Sequence, residues 1–187
     1  CNTHTYDVVP TIEQCRRLAN AGAQLIRITV PGPKDVEDIK KIREGLRAEG
    51  ISVPIVADIH FSSQTAIAVA PYVEKVRINP GNFADRKGAW SGESISEADF
   101  ARGEERVQQL FGDFLREAKR LKRAIRLGVN HGSLSERMLR RYGDTPEGMV
   151  ESCLEYFRVA RSLDFEEDRK STRLHSSHDQ SSYAVVS

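Results

Sequence analysis

VPIVADIH, from Val53 to His60, decides how the rest of the chain is read. Side chains of a strand alternate between its two faces, so residues two apart point the same way. Ile55, Ala57 and Ile59 therefore share one face, and Asp58 and His60 share the other. Three further runs divide in the same manner. AQLIRITV, Ala23 to Val30, sets Ile26, Ile28 and Val30 against Arg27 and Thr29. KVRIN, Lys75 to Asn79, sets Val76 and Ile78 against Arg77 and Asn79. AIRLGVN, Ala124 to Asn130, sets Ile125, Leu127 and Val129 against Arg126, Gly128 and Asn130. A parallel sheet covered by helices on both sides is apolar on both faces. One apolar and one polar face fit a (β/α) barrel instead, with apolar residues packed outward on helices and polar ones turned into the mouth. The polar residues also fall toward the C-terminal strand ends, where barrel active sites form.

Helical periods separate these strands. Thr11 to Ala21 runs to a stop at Gly22, and Lys34 to Glu49 to a stop at Gly50. Ser62 to Ala70 opens on a serine N-cap. Glu97 to Arg123 reads as a helix interrupted near Gly103 and Gly112, after a loop from Phe83 to Ser96. Ser135 to Arg141 and Pro146 to Leu163 complete the helices, with Pro146 suited to a first turn. Strand and helix alternate, which implies parallel βαβ units. The end of one more strand is expected just before Asp7. The fold expected is a partial TIM (β/α) barrel of about the first five β/α units, incomplete at both ends. It occupies residues 1–165 as a substrate-binding domain. Residues 166–187 are expected to be an unstructured tail: DRKSTRLHSSHDQSSYAVVS has no strand or helix period. That tail reads as non-native, of the kind translated from adaptor sequence, with a native disordered tail as the plainer alternative.

The 187 residues are 39% hydrophobic and 29% charged, which excludes wholesale disorder. No apolar run is long enough for a transmembrane helix. A formal charge of +1 gives no reason to expect a nucleic acid or an anionic membrane as partner. Cys1, Cys15 and Cys153 show no ligand spacing, and an odd, sparse count suits a reducing, cytoplasmic setting. Cys15 and Cys153 fall on helices and read as packing residues. The opening CNTHTYD lacks a signal peptide's apolar segment.

Arg27, Arg77 and Arg126, with His60, form a cationic set on converging strands. Guanidinium groups match phosphate oxygens with paired hydrogen bonds, and clustering them is unfavourable unless an anion neutralises them. The turns PGP, NPGN and NHGS that follow the strands have backbone amides suited to phosphate. A diphosphate-bearing ligand is the inference. A lone strand arginine is more often at the surface or in an ion pair, but three in one register reverse those odds. Asp58-x-His60 supplies two metal ligands without a third, so it is no metal site. Asp58 could instead pair with Arg27 across neighbouring strands. Trp90 is either a lid contact or merely exposed; Arg116 to Arg126 reads as a solvated basic face. His175 and His178 lie in the tail and carry no weight.

IRITVP (Ile26 to Pro31), VADIHF (Val56 to Phe61), VRINPGN (Val76 to Asn82) and RLGVNHGSLS (Arg126 to Ser135) together resemble the 4-hydroxy-3-methylbut-2-en-1-yl diphosphate synthase family. The resemblance runs from about Cys1 to Phe165. YGDTPEGMVES, Tyr142 to Ser152, and the long segment after Asn82 resemble the family's three-domain version. The resemblance implies a TIM barrel that binds 2-C-methyl-D-erythritol 2,4-cyclodiphosphate. It also implies a C-terminal domain whose [4Fe–4S] cluster rests on three cysteines and a glutamate, closing over the barrel from the partner in a homodimer. Two electrons from ferredoxin or flavodoxin would open the ring and remove a hydroxyl, in the bacterial cytoplasm. Arg27, His60, Arg77 and Arg126 would hold the diphosphate; Asp58, Asn79 and Asn130 would orient the rest of the substrate.

NTHT at Asn2 to Thr5 resembles only the end of the family's first strand, and no cysteine here matches a cluster ligand. The chain is thus expected to be an N-terminal fragment lacking the insert and iron–sulfur domains, holding no cofactor or metal and inactive alone. The alternatives are a redox-free phosphate-binding barrel, pterin synthase or aldolase-like, and a non-catalytic anion-binding module. An aldolase would want a lysine ending a strand for a Schiff base, whereas Lys75 precedes one.

Overall fold

The computed structural model describes residues 1–85, 94–130, 132–165, 168–171 and 181–186. Trp90, part of the loop after Phe83, His131, His175 and His178 lie outside them. Helix α1 (Val8–Asn20) leads into β1 (Ile26–Val30), followed by α2 (Asp35–Ala48) and β2 (Ile55–Ile59). Next come α3 (Ser63–Val69), a short 3₁₀ turn (Ala70–Tyr72), β3 (Lys75–Ile78) and the one-turn α4 (Pro80–Phe83). The long α5 (Glu97–Leu121) precedes β4 (Ala124–Asn130), α6 (Glu136–Tyr142) and α7 (Pro146–Ser162). Side-chain hydroxyls start the helices: those of Ser62, Ser96, Ser135 and Thr145 accept from the amides of Thr65, Asp99, Met138 and Gly148. Each satisfies one of the donors that a helix N-terminus leaves unpaired.

Strands β1 to β4 pair in chain order, all parallel. Their apolar residues pack against one layer of helices. Ile26, Ile28, Ile55, Ala57, Val76, Ile78, Ile125 and Leu127 meet Ile39, Ile42 and Leu46 of α2, Phe111 and Phe114 of α5, and Tyr156 of α7 in one buried cluster. An open α/β sheet with helices gathered on its apolar face is a partial TIM barrel, as the strand alternation predicts.

The structure departs from the sequence reading in three places. Helix α5 is continuous through Gly103 and Gly112. A helical glycine costs about 1 kcal/mol relative to alanine, and the buried stripe Val107, Phe111, Phe114, Leu115 and Ala118 outweighs it. Gly103 makes room rather than a break, since a Cβ there would overlap the buried Arg137 guanidinium. Second, the residues before Asp7 form no strand. They run alongside β1 instead, where the Cys1 amine donates to the Arg27 carbonyl at 2.6 Å and the Thr5 hydroxyl to the Thr29 carbonyl. Third, the segment expected to be unstructured contains β5 (Asp168–Ser171) and β6 (Ser181–Val186). β6 pairs antiparallel with β4, and β5 with β6. An unpaired strand edge is a template for whatever chain can reach it. Here β6 takes the edge of β4 on which a barrel's next strand would pair.

Candidate functional site

Strand register lines up Thr29, Asp58, Arg77 and Arg126 as successive neighbours across the four parallel strands. Asp58 and Arg77 are both only 4% exposed. Arg77 Nη1 donates to Asp58 Oδ1 at 2.9 Å, and Nη2 to the Gly128 carbonyl at 3.1 Å. Gly128 is required by this approach. A Cβ there would lie 2.6 Å from Arg77 Nη2.

Two more groups converge on the same carboxylate. Arg27 Nε stands 3.6 Å from Asp58 Oδ2, and His60 Nε2 stands 3.9 Å from Oδ1. The cross-strand pairing of Asp58 with Arg27 therefore exists, but the shorter, buried contact is with Arg77. Exposure grades outward from there: the side chain of Arg77 is 5% exposed, His60 36% and Arg27 53%. The deep end is held by an internal ion pair, while the outer end leaves the Arg27 guanidinium and the His60 ring partly open to solvent. Arg126 is half-buried beside Arg77. Two guanidinium groups, those of Arg27 and Arg77, set against the one carboxylate of Asp58 leave a formal positive excess, which suits an anion.

Asn79 and Asn130 stand differently. Asn79 is 3% exposed; its Oδ1 accepts from the Gly81 amide at 3.0 Å and its Nδ2 donates to Ser133 Oγ at 2.8 Å. Its side chain caps one turn and ties it to the next. Asn130 is half-buried at the end of β4, and its carbonyl accepts from the Ser133 amide at 3.2 Å and hydroxyl at 3.1 Å.

The turn amides, expected to face phosphate, are already engaged. The Gly32 amide donates to Asp35 Oδ2 at 3.0 Å, that of Gly81 to Asn79, and that of Gly132 to Asp144 Oδ1 at 3.4 Å. Short polar side chains satisfy nearby backbone donors in this way throughout proteins. The site consequently rests on side chains of the strands. Ser133 and the buried Arg137 beneath the β3 turn were not legible beforehand, because neither belongs to a strand pattern.

A metal or cluster fits poorly. Among the described residues no three His, Cys, Asp or Glu side chains gather closely enough to hold a metal ion. Cys1 Sγ and Cys15 Sγ lie 3.5 Å apart, with Cys15 fully buried under the sheet and its thiol pushed up by that burial. Lys75 opens β3 at the strand end opposite Asn79, away from the polar group. No helix among the described residues is long and apolar enough to cross a membrane.

A family profile described as the GcpE TIM-barrel domain matches residues 1–184. A protein of Protochlamydia amoebophila is 47% identical over 161 residues, covering 86% of this chain and 25% of the relative. One from Porphyromonas gingivalis is 48% identical over 167 residues, covering 89% and 28%. One from Chlorobaculum tepidum is 47% identical over 157 residues, covering 83% and 21%. All three are named 4-hydroxy-3-methylbut-2-en-1-yl diphosphate synthase (flavodoxin). The chain spans about a quarter of the length of these curated relatives.

Proposed function

Because this chain belongs to the GcpE TIM-barrel domain family, we propose that it is the substrate-binding part of a 4-hydroxy-3-methylbut-2-en-1-yl diphosphate synthase. The whole enzyme would convert 2-C-methyl-D-erythritol 2,4-cyclodiphosphate to the allylic diphosphate by two-electron reductive ring opening with loss of a hydroxyl. The observation that carries this reading is the in-register row of Asp58, Arg77 and Arg126 with Arg27 and His60 around it.

In this role Arg27 and His60 meet the diphosphate from the open side, with Arg77 and Arg126 beneath it. Asp58 holds Arg77 in place and, with Asn130, faces the rest of the substrate. Asn79 acts at one remove, by fixing the turn after β3. Among the described residues no set of side chains fits an iron–sulfur cluster, so no redox step is assigned to them. The [4Fe–4S] cluster of the whole enzyme belongs to residues outside this chain. Flavodoxin, which stands in the relatives' names, or ferredoxin would deliver the electrons. A homodimer in the bacterial cytoplasm is the setting proposed.

Calorimetric titration of the protein with inorganic pyrophosphate at low salt tests the site. Binding that weakens with salt and falls about tenfold or more on Arg77→Lys is expected, since lysine cannot keep both the Asp58 and the Gly128 contacts that hold the cation under the site. Absence of binding at millimolar pyrophosphate, or equal binding by the variant, would refute it.

A further inference from the structure

Another buried ionic group lies behind the turn that follows β3, outside the polar row. Arg137 of α6 is 1% exposed, and its Nη2 donates to both carboxylate oxygens of Glu155 on α7 at 2.8 Å each. Its Nε lies 3.4 Å from Asp85 Oδ2. The Phe100 ring of α5 lies against the guanidinium, 4.6 Å from centroid to Cζ, and Gly103 on the same helix leaves it space. Beside Glu155, Tyr156 donates its hydroxyl to the Pro80 carbonyl at 3.1 Å.

Residues 80–85 are therefore held at both ends from α6 and α7: Pro80 through Tyr156, and Asp85 through Arg137. At its start the same turn is tied to the β4 turn by Asn79 and Ser133. Two carboxylates share one guanidinium here, and burial pushes the Glu155 carboxyl up against the pull of Arg137. Buried ion pairs often stabilise no more than well-packed apolar residues would. Directional charge contacts add something apolar packing does not, a defined position for the segment they hold. That segment follows Arg77 and Asn79 directly.

We propose that Arg137, Asp85, Glu155 and Tyr156 form a positioning device that clamps the β3 turn and thereby sets Arg77 and Asn79 at the anion site. This rests on the anion-binding reading of that site. Arg137 is a positioning residue that touches no ligand.

Asp85→Asn leaves Arg137 and Glu155 as a balanced pair, so the fold is retained while the clamp loosens. Two readouts apply: amide hydrogen exchange at Gly81 and Asn82, whose N–H groups bond to Asn79, and calorimetric binding of inorganic pyrophosphate. Exchange at those two amides should quicken about tenfold, with β1 and β2 amides unchanged. Pyrophosphate affinity should fall by about tenfold or more through the displaced Arg77, and Asp85→Glu should restore part of both. Tyr156→Phe, which removes one hydroxyl from the other end, should act in the same direction. Unaltered exchange in both variants overturns the clamp. Faster exchange with wild-type affinity overturns its link to the site. If the unsubstituted protein binds no pyrophosphate, the anion-site reading and that link fall together, while exchange still decides whether the clamp exists.

Discussion

Arg77→Met removes the guanidinium that faces Asp58 at 2.9 Å inside the sheet. The methionine fills much of the same volume, so the cost is chiefly that of a buried carboxylate deprived of its partner. Breaking a buried pair by removing one member costs about 3–5 kcal/mol. Arg27 and His60 remain within 3.6 and 3.9 Å of Asp58 and, being partly exposed, return a small part, about 1 kcal/mol at most. The net expectation is a loss of about 3 kcal/mol. With a urea dependence of about 2 kcal/mol/M, the unfolding midpoint moves down by about 1.5 M. The assay is urea unfolding followed by far-ultraviolet circular dichroism for the wild type, Arg77→Met, Asp58→Asn and the double variant. Since the double variant strands no charge, it should be more stable than the sum of the single losses predicts. A midpoint shift below about 0.3 M, or additive single losses, would refute the assignment of Asp58 and Arg77 as a mutually dependent pair.

Gly128→Ala places a methyl group where Arg77 passes; overpacking of about 1–3 kcal/mol and a pyrophosphate affinity close to that of Arg77→Lys are expected, read by thermal unfolding and calorimetry. Tyr156 is fully buried and its hydroxyl is pushed well up by that burial, with Asp85 and Glu155 adding to it. Above about pH 10 the unfolded chain therefore releases this proton and the folded one keeps it, so stability falls by up to about 1.4 kcal/mol per pH unit. Unfolding titrations should show that slope reduced by one proton in Tyr156→Phe, and an unchanged slope would contradict the burial. Cys15, buried and with its thiol pushed up, should alkylate last of the three cysteines under native conditions, by mass spectrometry; early modification would mean that α1 opens from the sheet.

The period of two in IRITV, IVADI, KVRI and AIRLGVN is a local property of a strand, and it separates the helix-facing residues from the polar ones without knowledge of any neighbour. The split faces of the strands were legible for that reason, and a cap at Ser62 or Ser63 and Pro146 in a first turn were legible from the local chemistry of helix starts. Partnership is not local. Which cation Asp58 chooses depends on register: β3 sets Arg77 opposite it, whereas β1 sets Arg27 opposite Val56, two residues back, with its head in solvent. The side-chain amide of Asn79 is engaged by Gly81 and Ser133, the latter distant in sequence and near only once β3 and β4 pair. The glycines show the same division. Gly103 and Gly128 read as a helix break and as one member of the polar face of β4, yet each is the space left for a buried arginine from another element. Alternation along one strand determined which residues could reach the site; only the pairing of strands and the packing of α5, α6 and α7 behind them decided which of those residues are free to act there and which are held.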